Sequence, residues 1–232
     1  MNAAGTDAKM RNTKESILEA QFTPGAGNWC TWMFGRDLVN WNNNFTWAKW
    51  VTPSRDLIST FKQEGDEVRF KESVVYYDCG WSNYYPSDNY PFMYKCRSAN
   101  SSIIKYRYAD VLLLKAEALI MQDTPDLEGA ADIIDEVRDR AKLGALSSST
   151  RSNKDALLNA LLKERRLELA FEGQRWFDLV RLDKVEEVMN AVHAKDSGRK
   201  AQVYTYDKNS YRLPIPQSVI DANDKIHQNP GY

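Results

Sequence analysis

The sequence predicts a mainly α-helical protein, with two helices joined by a tight turn, further helices, a loop-rich aromatic insertion and a small β-hairpin. Three observations predict this fold. Apolar residues recur at helical spacing between residues 103 and 194. Tryptophan and asparagine crowd residues 28–50, and two short apolar runs flank a polar turn after residue 200. By these differences in composition and hydrophobic pattern the chain divides into residues 1–100, 101–194 and 195–232.

Composition narrows the class of protein. The chain has 232 residues, of which 43% are hydrophobic and 27% are charged, as in ordinary globular proteins. The formal net charge is -1, and no basic block occurs, so the electrostatic footprint of a nucleic-acid-binding protein is missing. No apolar run reaches the length that a bilayer requires. We therefore expect no nucleic-acid partner and no membrane-spanning helix.

The N-terminus and the cysteines each leave two alternatives. Residues 1–17 contain neither an apolar signal core nor a lipidation cysteine. The protein is therefore either cytoplasmic or a piece from which the targeting segment has been removed. Cys79 and Cys96 could form a disulfide in an oxidising compartment, or both could be buried thiols.

A helical hairpin is predicted in the middle of the chain. The apolar positions of its first helix are Tyr106, Ala109, Leu112, Leu113, Ala116 and Ile120, and those of its second are Leu127, Ala130, Ile134, Val137 and Ala141. Thr124 supplies a cap between the helices, and Gly144 is expected to end the second one. The small alanines and the tight turn are typical of a tetratricopeptide unit. One such unit cannot bury its own apolar face, so we expect neighbouring repeats that this chain lacks.

More helices and a β-hairpin are predicted towards the C-terminus. A third helix is expected to begin at Ser152, and Gly173 is expected to bend or divide it. A weaker helix follows over residues 183–194. Residues 202–206 and 211–215 flank a four-residue polar turn, which predicts a small hairpin.

A charged row on the third helix invites a catalytic interpretation. Its carboxylates are Glu164, Glu168 and Glu172, and the cations close to them in sequence are Arg165, Arg166 and Arg175. Two carboxylates could form an acid/base pair, as in glycosidases, but an ion-pair network that fixes the helix is the simpler interpretation. A bundle-type metal site would need a Glu-x-x-His element, which the sequence lacks. Phosphate loops and nucleophile motifs are missing too. We expect no catalytic residue, no metal ligand and no cofactor.

The aromatic segment over residues 28–50 is the strongest functional feature. It reads NWCTWMFGRDLVNWNNNFTWAKW and holds five of the seven tryptophans. Asparagine clusters favour turns, so we expect a loop. Aromatic faces stack on the C–H faces of sugar rings, and amides bond vicinal hydroxyls, although such rings could instead pack beneath long loops. A second aromatic stretch over residues 76–94 adds one more tryptophan. The candidate ligand-binding residues are Trp29, Trp32, Asn40, Trp41, Asn42, Asn43, Asn44, Trp47 and Trp81.

Four segments, in order, resemble the SusD/RagB family of nutrient-uptake lipoproteins. They are KESILEAQF at residues 14–22, YRYADVLLLKAEAL at 106–119, ERRLELAFEGQRWFDLVR at 164–181, and LPIPQ at 213–217 with QNPGY at 228–232. The resemblance covers residues 1–232 as the C-terminal region of such a protein. It implies a SusD-like fold whose N-terminal helical repeats and lipid-anchored cysteine are absent here.

The resemblance also implies a function. It implies a non-catalytic protein on the extracellular face of the outer membrane, which binds an oligosaccharide and delivers it to a SusC-like TonB-dependent barrel. Membrane association would run only through the absent N-terminal anchor. Trp50 precedes a family element at residues 53–57 that is mainly structural, so we discount it as a ligand contact. The alternative is a helical-repeat module that binds another protein or a peptide.

Overall fold

Helices make up most of the chain that the structure, a computed structural model, describes. The described residues are 12–22, 52–79, 85–95, 102–195 and 205–232. The chain forms two compact units, Met1–Arg175 and Trp176–Tyr232. The mainly α-helical fold with small antiparallel strand pairs is confirmed. None of the helices in the described ranges is both long and apolar enough to span a membrane.

The strands of the first unit form two antiparallel pairs. Strand β1 (Ser16–Ala20) pairs with the strand over Ile103–Arg107, and Val74–Tyr77 (β2) pairs with Tyr90–Met93 (β3). We number the strand over Ile103–Arg107 β4. The register of the second pair runs from Val74 opposite Met93 to Tyr77 opposite Tyr90. The Cys79 side chain, two residues past β2, is buried, whereas Cys96 lies outside the described residues, so the disulfide and the buried-thiol alternatives both stay open.

Two short helices precede β2. Helix α1 (Arg55–Glu64) is capped by Ser54, whose hydroxyl accepts the Leu57 N–H at 3.1 Å. Gly65 ends it at φ 68, in the left-handed region that glycine adopts without strain. Helix α2 (Glu67–Ser73) follows directly and is capped by Asp66. The Ser54 cap is consistent with the structural role that the family resemblance implies for residues 53–57.

The predicted helical hairpin is present, with shifted ends. It consists of α3 (Tyr108–Met121) and α4 (Leu127–Arg140). Tyr106 was predicted on the first helix but lies in β4, because the chain stays extended up to Arg107. Asp126, not Thr124, caps α4, since its carboxylate accepts the Gly129 N–H at 2.9 Å. Helix α4 ends before Gly144 because Lys142 already takes a positive φ of 64.

The third helix completes the core of the first unit. A short helix α5 (Ser148–Arg151) precedes α6 (Lys154–Glu168), and Asn153, rather than Ser152, caps α6. One fully buried cluster joins α6 to the hairpin, and its members are Leu113, Ala116, Ile120, Ala130, Ala131, Ile134, Val137, Leu157 and Leu161. The alanines let the helices approach closely, as a tetratricopeptide-type pair requires. The predicted division of the helix is confirmed, although α6 already ends at Glu168, and Phe171 (φ 65) takes a positive φ before Gly173 (φ 83) does.

The second unit contains helices and turns. Helix α7 (Arg175–Arg181) leads into it and is followed by α8 (Val185–Lys195) and α9 (Gln217–Asp221). The predicted hairpin is wrong for the described residues, because Lys208–Tyr211 forms a 3-10 helix. Asp207 and Ser210 cap that helix reciprocally, which favours a helical turn over a strand. At the C-terminus the Gln228 side-chain amide accepts the Ile215 N–H at 2.8 Å and donates to the Ile215 carbonyl at 2.9 Å. These bonds join the family motifs at residues 213–217 and 228–232.

Candidate functional site

The predicted ligand-binding residues lie outside the described residues. They are Trp29, Trp32, Asn40, Trp41, Asn42, Asn43, Asn44, Trp47 and Trp81. Their role therefore stays a prediction. The described residues that follow Trp50 and Trp81 in sequence begin at Thr52 and Tyr85.

Two side-chain hydrogen bonds join described residues that follow Trp50 in sequence to described residues that follow Trp81. Thr52, two residues after Trp50, shares a 2.6 Å hydrogen bond between its hydroxyl and that of Tyr90. Tyr85, four residues after Trp81, donates its hydroxyl to the Pro53 carbonyl at 2.8 Å. These side-chain bonds hold residues 52–53 against residues 85–90, so the described residues that follow Trp50 and Trp81 lie side by side.

A groove of about 500 Å³ opens beside this junction, and we call it the tyrosine groove. Its lining residues are Arg55, Ile58, Ser59, Lys62, Gln63, Tyr76, Tyr85, Pro86 and Asn89. The volume is within the range of small-molecule sites. The lining combines aromatic rings with amide and hydroxyl groups, which is the chemistry predicted for a sugar contact.

Packing holds the two tyrosines of the groove in place. The Tyr85 ring meets Tyr90 edge-on, with ring centroids 5.6 Å apart and planes at 78°. The Tyr76 ring packs edge-on against Phe70 at 6.5 Å. Burial raises the pKa of Tyr76 above its ordinary value, so its hydroxyl remains a neutral hydrogen-bonding group at physiological pH. The groove therefore presents ordered rings, which lose little conformational entropy when a ligand binds.

Sequence reasoning missed the helical wall of this groove. Arg55, Ser59, Lys62 and Gln63 lie on one face of α1, at spacings of three and four residues. That spacing is visible in the sequence, but nothing in the sequence indicates which element faces α1. Tyr76 and Tyr85 belong to the second aromatic stretch, from which the predicted ligand-binding residues include only Trp81.

The predicted ion-pair network is confirmed, with different partners. The buried carboxylates of Glu164 and Glu168 both meet Arg69, at 2.5 and 3.1 Å. Arg107, only 1% exposed, bonds Glu168 at 2.6 Å and Glu172 at 2.7 Å. The edge of this buried ion-pair network is formed by Glu15, Lys95, Arg138 and Arg140. It therefore joins α2, β4, α4 and α6 of the first unit.

Two details of the charged row differ from the prediction. Glu172 is not on the helix, because α6 ends at Glu168, although it still bonds the network. The neighbouring arginines pair elsewhere: Arg165 bonds Asp110 at 2.9 Å, and Arg166 bonds Asp56 at 2.6 Å. The true partners are far away in sequence, so helical spacing alone could not identify them.

Glu15 of the first family motif has a second role. Its carboxylate accepts from the Arg107 guanidinium at 2.9 Å and from the Ala109 N–H at 3.2 Å. The N-cap of α3, Arg107, makes no side-chain capping bond of its own. Glu15, the residue before β1, therefore caps α3 and links the motif at residues 14–22 to the motif at residues 106–119.

Burial and the surrounding cations have opposite effects on the pKa values of the network carboxylates. Burial alone would raise the pKa of Glu168, but Arg107 and Arg140 outweigh it and hold that pKa well below its usual range. The pKa of Glu172 is lowered in the same way, against its burial, by Lys95 and Arg107. At Glu164 burial prevails and raises the pKa, although Arg69 and Arg138 oppose it. Such carboxylates serve as fixed anions between cations, in keeping with a structural role.

Acid is expected to destabilise the protein through this network. Because the folded pKa values of Glu168 and Glu172 are lowered, their ionised forms stabilise the fold fully above the ordinary value of 4.5. That stability is lost as the pH falls through the folded values, while Glu164, with its raised pKa, acts in the opposite direction. We expect the free energy of unfolding to decrease as the pH drops below about 4.5.

Urea titrations at a series of pH values measure this effect. Glu168→Gln removes one of the two lowered groups, so the variant is expected to be less stable at neutral pH but to lose less stability on acidification. A wild-type free energy of unfolding that stays constant down to about pH 3 would contradict the assignment.

A second cavity, of about 410 Å³, lies beside the network. Its charged lining residues are Glu15, Glu19, Arg69, Glu72, Lys95, Arg107, Arg140 and Glu168. Anions and cations balance there, and no described lining residue is aromatic. The tyrosine groove therefore suits a sugar better than this cavity does.

Comparison with known proteins matches more than half of the chain to one family. The sequence model of the SusD family matches residues 88–232. SusD-like protein P38 from Formosa agariphila is 41% identical over 139 residues, which are 57% of this chain and 25% of that protein.

Solved structures share the fold. A SusD superfamily protein from Parabacteroides distasonis has a TM-score of 0.72 at 23% identity, covering 97% of this chain and 51% of that one. A laminarin-binding SusD-like protein has a TM-score of 0.62 at 25% identity, covering 96% of this chain and 51% of that one. The chain thus spans about half the length of these solved structures, and its match with the curated relative spans about a quarter. Since the family model matches more than half of the chain, this protein belongs to the SusD family.

Proposed function

We propose that this protein is part of a non-catalytic glycan-binding component of a nutrient importer in the outer membrane. The observation that carries the proposal is the junction at the tyrosine groove. There the bonds from Thr52 to Tyr90 and from Tyr85 to Pro53 bring together the sequence neighbours of both aromatic segments. One platform could then combine tryptophans from residues 28–50, Trp81 and the groove tyrosines.

The proposal extends from the site to its partners. The family resemblance implies a SusC-like TonB-dependent barrel as the acceptor of the glycan, and a lipid anchor in the whole protein would hold it on the extracellular face. The laminarin-binding relative supports a polysaccharide as the ligand class. The buried ion-pair network supports a non-catalytic role, since its carboxylates are already bonded to cations.

Affinity electrophoresis tests the glycan claim. We expect a polysaccharide such as laminarin in the gel to retard the protein. Trp→Ala changes at Trp29, Trp32, Trp41 or Trp47 should weaken that retardation, because each change removes an aromatic face on which a sugar ring would stack. Trp50→Phe is the matched control and should migrate as the wild type does. If the four single variants and their combination are all retarded normally, the site is elsewhere.

A protein or peptide partner is the second candidate. Helix α3 favours it, because Tyr108, Val111 and Met121 are each more than two-fifths exposed, at 51%, 43% and 51%. Exposed apolar side chains on a helix are a feature of surfaces that bind a partner. Val111→Asp should abolish such binding and leave glycan retardation unchanged, which separates the two candidates.

A further inference from the structure

We infer that the cavity beside the ion-pair network binds a small hydroxylated amine, a ligand that carries one ammonium group and uncharged oxygen atoms. The cavity has a volume of about 410 Å³, and both β1 and α2 contribute to its lining. It shares no described lining residue with the tyrosine groove, so the inference goes beyond the proposed function. The volume is within the range of small-molecule sites.

Two residues of the cavity lining each have a buried polar atom without a hydrogen-bond partner. These atoms are Oε2 of Glu19 and Nη2 of Arg69, and Oγ of Ser102 is the only other such side-chain atom in the described ranges. Native proteins pair nearly all of their buried polar atoms, because an unpaired one is unfavourable. A ligand in the cavity would pair both atoms at once.

An irregular strand register places Glu19 in the cavity wall. Ser16 and Glu19 are three residues apart and would lie on opposite faces of a regular strand, yet both line the cavity. The pairing of β1 with β4 shifts twice between them, first before Leu18 and again after it. Such irregularities re-aim a side chain and are common beside functional sites. The strand thus presents a carboxylate to the cavity that regular pairing would direct away from it.

The Glu19 carboxylate is not paired within the fold. It makes neither a hydrogen bond nor an ion pair in the part of the chain that the structure describes. The network residues of the lining, in contrast, bond one another or Glu172, and they are Glu15, Lys95, Arg107, Arg140 and Glu168. An unpaired carboxylate favours a cationic donor, because hydrogen bonds between opposite charges are the stronger ones. The group that meets Glu19 is therefore an ammonium.

The Arg69 guanidinium favours an uncharged acceptor instead. Its Nε lies 2.5 Å from an Asp66 oxygen. Its Nη1 lies 2.5 Å from Glu164 and 3.1 Å from Glu168. These three carboxylates would repel a further anion at Nη2, whereas a hydroxyl oxygen accepts a hydrogen bond without adding charge. The two unpaired atoms therefore fit a ligand with an ammonium for Glu19 and a hydroxyl for Arg69.

Calorimetric titration of the full chain with three matched probes tests the inference. Glucosamine is protonated at about pH 6, N-acetylglucosamine has the same skeleton without the charge, and glucose has a hydroxyl in place of the amine. The described lining has no aromatic ring, so selection rests on the amine rather than on stacking. We expect glucosamine to bind about tenfold more tightly than either neutral probe.

Two variants locate the site of binding. Glu19→Gln should remove the preference for glucosamine, because the amide keeps the shape of the side chain but not its charge. Glu67→Gln removes an exposed carboxylate of α2 outside the described cavity lining, so it is the matched control and should bind as the wild type does.

Urea titrations with and without glucosamine provide a second measurement. Glu19 lies outside the ion-pair network, so Glu19→Gln should fold as the wild type does. Glucosamine should raise the free energy of unfolding of the wild type and of Glu67→Gln, but not that of Glu19→Gln.

Three results would overturn the inference. The three probes could bind equally well, Glu19→Gln could keep the preference for glucosamine, or glucosamine could fail to bind, in which case water alone pairs the two atoms. None of these results bears on glycan binding at the tyrosine groove, which the electrophoresis with laminarin tests.

Discussion

Replacing Arg107 with methionine is expected to lower the free energy of unfolding by about 3–5 kcal/mol. The side chain is 1% exposed and bonds three carboxylates, those of Glu15, Glu168 and Glu172. Methionine fills much of the same space but leaves buried anions without their main cation, and an uncompensated buried charge is more costly than a lost surface pair. Urea denaturation followed by circular dichroism measures the effect.

Arg140 provides the control for this prediction. It bonds the same Glu168 carboxylate, but its side chain is 52% exposed. Arg140→Gln should therefore cost no more than about 1 kcal/mol, since solvent already screens that pair. Equal losses at Arg107 and Arg140 would show that burial does not set the energy of the network.

Replacing Phe61 with alanine is expected to cost about 3–5 kcal/mol as well, for a different reason. Phe61 is 1% exposed and packs with Leu57 on α1 and with Leu167 of α6. Its ring also lies 5.6 Å from that of Phe70. Truncation leaves a cavity where α1 packs against α6. The free energy of unfolding then falls because the buried apolar ring is lost and because the cavity is not filled.

This prediction also connects the core to the groove. Phe61 and Lys62 are neighbours on α1, so loosening the helix should weaken glycan binding even at temperatures where the variant stays folded. Val68→Ala is the surface control, because Val68 is 37% exposed and should change stability by less than about 0.5 kcal/mol. A Phe61→Ala variant as stable as Val68→Ala would contradict the packing described for α1.

Local signals in the sequence predicted the helical part of the fold well. The hairpin of α3 and α4 and the break at Gly173 follow from apolar spacing and from the conformational freedom of glycine. The ends of the helices were less predictable, because several neighbouring residues can cap a helix. Asp126 caps α4 and Asn153 caps α6, where Thr124 and Ser152 were predicted. The prediction of a C-terminal hairpin was wrong for a related reason, because Asp207 caps a helical turn at the position of the predicted β-turn.

Long-range pairing explains what could not be predicted at the site. The charged row on α6 indicated a network, but Arg69 and Arg107 are supplied by elements about 60 to 100 residues away. The junction at the tyrosine groove likewise depends on Thr52 meeting Tyr90 across 38 residues. Such contacts are set by tertiary packing, and one sequence carries no periodic signal for them.

The central claim is that the tryptophans of residues 28–50 form the surface that contacts the glycan. Quenching of tryptophan fluorescence by acrylamide, measured with and without a saturating polysaccharide, tests it most directly. Five of the seven tryptophans lie in this segment, so the segment dominates the emission. The claim predicts strong quenching of the free protein and clear protection when the glycan is bound. Weak quenching that the glycan leaves unchanged would mean that these rings are buried packing, and would contradict the claim.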